Sequence, residues 1–221
     1  MQEVRPVVRD RGAHWAMRVL RLFGWSVRYD GTPPGCGVVI AYPHTSNWDF
    51  VVGILAKWSM GIPVIFLAKD SLFRVPLLGR FVRRVGGLPV DRSQSHGLIG
   101  SLSSRIKLAQ ERGERWWLAI TPEGTRKRQD AWRTGFYHIA VQAGLPIGLA
   151  YFNFSKREIG LTHFLMPTGD LEADMREIAD WYAACAHGCR PALATPVRTA
   201  AASTTFAPAG NDPAPTADNH A

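Results

Sequence analysis

Apolar positions along this chain come in two patterns that take turns. One is the short unbroken run. Cys36 to Tyr42, Ile62 to Ala68, Trp116 to Ile120 and Pro146 to Asn153 are runs of this kind, and Leu88 to Val90 is a brief one. Such runs read as strands buried on both faces of a sheet. Ile159 to Met166 reads as one more strand. The other pattern is the helical stripe. Ser46 to Trp58, Gly135 to Ala143 and Asp174 to His187 read as helices. Ser95 to Arg112 is a long one, with Leu98, Leu102, Ile106 and Ala109 on one face. Ser71 to Arg84 is helical in part and interrupted near Pro76, because proline cannot donate the helical hydrogen bond. Strands alternating with helices of these lengths imply crossover connections. The predicted fold is α/β, a single domain with a mostly parallel sheet flanked by helices.

The two ends of the chain differ from this middle. Residues 11–25 predict an amphipathic helix in which Arg11, His14, Arg18 and Arg21 recur on one side. Trp15, Ala16, Val19, Leu20, Leu22 and Phe23 cover the rest. This suits a helix lying on anionic lipid, and equally a helix packed on the domain with its arginines solvated. Gly31 to Gly37 is a loop by composition. From Pro191 onward proline, alanine, threonine and asparagine dominate, a composition that cannot bury enough surface to fold alone. The expected organisation is a membrane-interface segment at 1–30, the main domain at 31–190, and a disordered tail at 191–221, dispensable for chemistry.

The 221 residues carry a formal net charge of +8. A basic balance points to anionic partners: nucleic acid, an anionic membrane surface, or phosphorylated and CoA-like substrates. No nucleic-acid module is found, and the eight tryptophans are scattered rather than interleaved with arginines. The start of the chain has no secretory pattern. The apolar runs fall well short of the ~20 residues a membrane span needs. If the protein meets a membrane, it lies on it. The three cysteines, Cys36, Cys185 and Cys189, form no disulfide framework and fit a reducing cytoplasm. Cys185 and Cys189 read as small positions on one side of a helix rather than as metal ligands.

Chemistry concentrates just past the predicted strands. His44 follows the run Cys36 to Tyr42, and Asp49 stands five positions on. In a parallel α/β sheet, ligands bind at the carboxyl ends of strands. A neutral imidazole there can take a proton from an alcohol, helped by a carboxylate that holds its other nitrogen. The competing reading makes Ser46 and Asp49 a capping box for the helix that follows. Thr121-Pro122-Glu123-Gly124-Thr125-Arg126 follows the strand Trp116 to Ile120, which places it at the same edge. Gly124 permits a tight turn. Thr125 and Arg126 suit phosphate geometry. Glu123 can orient the arginine or bond a substrate hydroxyl. Gly87 to Arg92 puts another arginine, Arg92, just past a strand. A base beside an anion grip is equipment for moving an acyl group onto the hydroxyl of a phosphorylated alcohol.

These segments resemble the motifs of a known family. His44-Thr45-Ser46-Asn47-Trp48-Asp49 is similar to the H-x4-D motif of the glycerolipid acyltransferases, which include the lysophosphatidic acid acyltransferases. Pro122 to Arg126 resembles that family's second hallmark, with Thr121 where phenylalanine is usual. Gly87 to Arg92 resembles its intermediate motif, and Leu145-Pro146-Ile147 its apolar fourth. Ala68 to Phe73 with Pro76 to Gly79 resembles its lysine-containing segment. The resemblance spans residues 38–152. It implies that His44 deprotonates the acceptor hydroxyl and that Asp49 orients His44. It implies that Lys69 or a backbone amide stabilises the oxyanion. Arg92, Glu123, Gly124, Thr125 and Arg126 would hold the acceptor's phosphate and nearby groups. The implied partners are an acyl thioester donor (acyl-CoA or acyl carrier protein) and a lysophospholipid acceptor. Neither cofactor, metal nor covalent acyl-enzyme is required. The implied place is the cytoplasmic face of a membrane, held peripherally. Other lysolipids or a hydroxylated amino lipid remain alternative acceptors. A non-catalytic basic lipid-binding protein is the alternative from outside enzymology.

Overall fold

The structure, a computed structural model, describes residues 1–90 and 95–200. Its centre is an eight-stranded sheet. In chain order the elements are β1 (Gln2–Glu3), α1 (His14–Leu22), β2 (Ser26–Tyr29), β3 (Gly37–Tyr42), α2 (Asn47–Met60), β4 (Val64–Lys69), α3 (Pro76–Arg84) and β5 (Gly87–Val90). Then come α4 (Ser95–Glu111), β6 (Trp117–Ile120), α5 (Gly135–Ala143), β7 (Ile147–Asn153), β8 (Glu158–Met166) and α6 (Leu171–Cys185). A 3-10 turn over Asp70–Arg74 joins β4 to α3. Pro76 begins α3 at a position whose N–H a helix does not use, which is why the sequence pattern breaks there.

The sheet runs β1-β8-β7-β3-β6-β4-β5, with β2 also on the outer edge of β8. Strands β7, β3, β6, β4 and β5 are mutually parallel. Only β8 and its edge partners depart from that direction: β8 is antiparallel to β7, and β2 runs with β8. The predicted single α/β domain with a mostly parallel sheet is the fold observed.

The unbroken apolar runs follow from layers on both faces. In β3, Val38 and Ile40 face Ile106 of α4, Phe136 of α5 and Ile178 of α6. Val39 between them faces the other way, with Leu20 of α1 and Val52 and Ala56 of α2. In β6 the same alternation sends Leu118 to the first layer and Trp117 to the second. A strand covered on both sides needs apolar residues at every position.

The chain ends differ from the sequence reading. Residues 1–30 are not a separate segment, because β1 and β2 pair with β8 and α1 packs its buried Ala16 and Leu20 inward. Strand β2 escaped notice because it lies at an edge and alternates exposed with half-buried positions. Nor does the tail begin at Pro191. Residues 191–200 lie against the domain, and Thr195 is fully buried. Helix α6 ends at Cys185, so Cys189 falls in the following loop and shares no helix face with it. Among the described residues no helix is long and apolar enough to cross a membrane.

Candidate active site

Parallel pairing puts the carboxyl ends of β7, β3, β6, β4 and β5 on one edge. Four of the loops leaving that edge carry the residues singled out in the sequence. His44 leaves β3, Glu123 to Arg126 leave the neighbouring β6, Lys69 ends β4, and Arg92 follows β5. Arg92 lies outside the described residues. Strands stand about 4.8 Å apart, so roughly 10 Å separates β3 from β4. The exposed Lys69 makes no hydrogen bond or ion pair with any described residue.

His44 is reached through a cis Tyr42–Pro43 bond, and its side chain is 18% exposed. Its Nδ1 stands 3.4 Å from Oδ2 of Asp49, which is itself buried at 1%. At that distance the contact is electrostatic and at the outer limit of a hydrogen bond; such contacts tighten when substrate arrives. The same Oδ2 accepts the backbone N–H groups of Thr45 and Ser46, each at 2.6 Å. The Ser46 hydroxyl in turn accepts the Trp48 N–H at 3.2 Å. So the two sequence readings of Asp49 are both true. It caps α2, and that capping fixes the carboxylate beside the imidazole. A negative group at a helix N-terminus also meets the positive end of the helix dipole. Asp49 Oδ1 is buried with no hydrogen-bond partner among the described residues.

Glu123 does something the sequence reading missed. It is 1% exposed, and both its oxygens are taken by main-chain amides. One accepts the N–H of His44, and the other accepts the N–H of Thr195 at 3.0 Å. A carboxylate held this way neither orients Arg126 nor bonds a substrate hydroxyl. It positions the histidine loop. Burial raises its pKa, and the two amides and His44 oppose that rise.

Thr195 is the partner that no local pattern announces. Its carbonyl accepts the Tyr42 hydroxyl at 3.0 Å, and its own hydroxyl accepts the Gln129 N–H at 3.1 Å. Nearby, the Arg190 N–H donates to the Thr45 hydroxyl at 3.1 Å, and Arg128 donates to the Ala194 carbonyl at 3.0 Å. Residues 190–198 therefore form a strap across the loops after β3 and β6. It was invisible in sequence because its bonds run mostly to main chain, which leaves no side-chain pattern.

Removing the Glu123 side chain tests the clasp. Two buried amides left without acceptors would cost about 1–3 kcal/mol each, offset in part by the relief of a buried carboxylate. Glu123→Ala is expected to lower the melting midpoint by roughly 5–10 °C. Glu123→Gln keeps an acceptor and is expected to lose less. Equal midpoints for wild type and Glu123→Ala in a calorimetric scan would contradict the clasp.

The rest of the β6 loop is a cationic turn. Gly124 has φ +67°, and a Cβ there would meet the Arg133 guanidinium at 3.0 Å. The Thr125 hydroxyl accepts the Lys127 N–H at 3.3 Å. Arg126 is exposed and makes no hydrogen bond or ion pair with any described residue. Its guanidinium is available to an anion, whereas Arg128 is engaged by the strap. Because Glu123 ties this loop to His44, the free arginine stands three residues from an atom bonded to the histidine's own backbone.

Comparison with known proteins bears on this arrangement. A sequence model of the acyltransferase family matches residues 26–148, from β2 into β7. That interval holds the histidine, the lysine and the β6 loop. The chain belongs to the acyltransferase family. The 1-acyl-sn-glycerol-3-phosphate acyltransferase of Escherichia coli K12 is 31% identical over 144 residues, covering 61% of this chain and 55% of that protein. The enzyme of the same name from Bacillus subtilis is 33% identical over 101 residues, covering 46% and 47%. The chain thus spans about half the length of the curated relatives it matches. The crystal structure of the lysophosphatidic acid acyltransferase PlsC from Thermotoga maritima superposes with a TM-score of 0.52. It covers 75% of this chain and 73% of its own at 17% identity, a likeness of fold.

Proposed function

We propose that this acyltransferase-family chain moves a fatty acyl group from an acyl thioester to the free hydroxyl of a 1-acyl-glycerol-3-phosphate, at the cytoplasmic surface of a membrane. The observation that carries the reading is the Glu123 clasp, which ties the His44–Asp49 pair to the loop bearing Arg126. The relatives' names agree with it. His44 Nε2 takes the proton of the acceptor hydroxyl as its oxygen attacks the thioester carbonyl. Asp49 stabilises the imidazolium that forms. The tetrahedral intermediate collapses with loss of the thiolate, which recovers the proton from His44, so the enzyme returns to its starting state. Lys69, or a backbone amide, faces the developing oxyanion. Arg126, with Thr125, grips the acceptor's phosphate, and Arg92 serves the same anion. The donor is acyl-CoA or acyl carrier protein.

The test is a paired assay on lysophosphatidic acid and on monoacylglycerol, which lacks the phosphate. Wild type is expected to prefer the phosphorylated acceptor. Arg126→Ala is expected to raise the KM for that acceptor about tenfold or more, with the donor KM little changed. Equal effects on donor and acceptor would remove the phosphate grip. No transfer to either acceptor, with transfer to another lysolipid, would keep the chemistry and change the substrate.

A further inference from the structure

We propose that the 3-10 turn and α3 form a preformed docking element for an anionic bilayer surface, and that this element, rather than α1, presents the site to lipid. The inference rests on the membrane setting of the proposed function. The observation is a concentration of exposed apolar side chains where burial would be expected. Leu72, Val75, Leu77, Leu78 and Phe81 are all exposed, Leu77 at 81%. They fall within ten residues of one another. An exposed cluster of this kind marks an interaction surface.

The charge pattern selects the occupant. Arg74, Arg80, Arg83 and Arg84 are interspersed among the apolar tips, all exposed. Asp70 is the lone acid of the segment and is bound to Arg74 at 2.9 Å. Arg80 and Arg84 make no ion pair with any described residue. Exposed leucine and phenylalanine with unpaired arginine beside them match an interface of acyl chains below and anionic headgroups above.

The element is held rigidly from beneath. Phe73 and Val82 are buried with Ala68, and the Arg83 guanidinium lies 5.1 Å from the Phe73 ring centre. Gly79 packs so closely that a Cβ would stand 2.6 Å from the Phe73 carbonyl oxygen. Lys57 of α2 reaches across to donate to the Val85 carbonyl at 2.6 Å. With its base fixed, the exposed side chains are presented rather than loose.

Position adds the functional point. The turn leaves β4 at Lys69, on the edge where β3 delivers His44. Trp48 and Val51, in the first turns of α2 beside His44, are exposed at 63% and 43% in the same layer. A bilayer meeting α3 would therefore meet the mouth of the site. Helix α1 spends its Ala16 and Leu20 on the core, and its exposed Trp15 leans on Trp58 at 5.2 Å.

The experiment uses the purified full chain with vesicles of phosphatidylcholine, with and without phosphatidylglycerol, read by co-sedimentation. Leu77→Glu and Arg80→Glu are compared with Arg18→Glu on α1. Each α3 variant is expected to weaken binding to phosphatidylglycerol vesicles about tenfold or more, with unchanged melting midpoints. The α1 variant is expected to bind nearly as wild type. Activity on a short-chain lysophosphatidate dissolved as monomers is expected to survive in all three. Retained vesicle binding in both α3 variants would overturn the proposal, as would an α1 variant that alone loses binding. A dimer of the wild type that Leu77→Glu dissociates, without change in vesicle binding, would assign the face to a second copy and overturn it too. Wild type inactive on the dissolved acceptor but still bound through α3 would sink the proposed reaction and leave the docking element standing.

Discussion

Replacing His44 by alanine is expected to cut acyl transfer by about 10³-fold while leaving the melting midpoint within a few degrees of wild type. A positioned general base contributes about 10²–10⁴-fold, and no second imidazole replaces it in the described loops of this edge. The fold should tolerate the loss. The elements on either side of His44 are held by main-chain and capping bonds that do not use the ring: the His44 N–H to Glu123, and the Thr45 and Ser46 N–H groups to Asp49. Only the 3.4 Å contact to Asp49 is lost with the ring. A steady-state assay with a thioester donor and lysophosphatidic acid reads the rate, and calorimetry reads the fold. A variant of normal stability with normal turnover would remove His44 as the base.

Asp49→Asn is expected to lower turnover by about 10²–10⁴-fold with a smaller effect on acceptor KM. The substitution keeps size and one acceptor oxygen, so the amides of Thr45 and Ser46 retain a partner and α2 keeps its start. What goes is the negative charge that stabilises the imidazolium in the transition state. Asp49→Ala confounds this by removing the cap as well, at about 1 kcal/mol of stability. The comparison of the two variants separates the carboxylate's two duties. If Asn lost stability and Ala did not, the capping account would fail. If Asn kept full turnover, the orienting account would fail.

Much of this was legible in the chain because parallel sheets write themselves plainly. Val38, Val39 and Ile40 are all apolar since β3 is covered by helices on both faces, and Gly135 to Ala143 forms a helix over the range its pattern marks. The site was legible in its types: His44, Asp49, Lys69 and the β6 loop all come to one edge. What stayed hidden was of another kind. Glu123 reads as a polar loop residue, yet it is buried because it anchors two amides. Thr195 sits in a stretch whose proline and alanine content argues for disorder, yet its amide, carbonyl and hydroxyl are all bonded to other loops. Composition reports what a segment can bury by itself. It is silent on a segment that borrows the core of its neighbours. Strand β2 was missed for a related reason, since an edge strand needs no long apolar run.

The most direct measurement is a single-turnover cycle across the catalytic pair: wild type, His44→Ala, Asp49→Asn and the double variant, each with enzyme in excess over the acyl thioester and lysophosphatidic acid saturating. If the imidazole is the base and the carboxylate acts only through it, the double variant will be no slower than His44→Ala alone. Losses that multiply, or a His44→Ala enzyme as fast as wild type, would contradict the assignment.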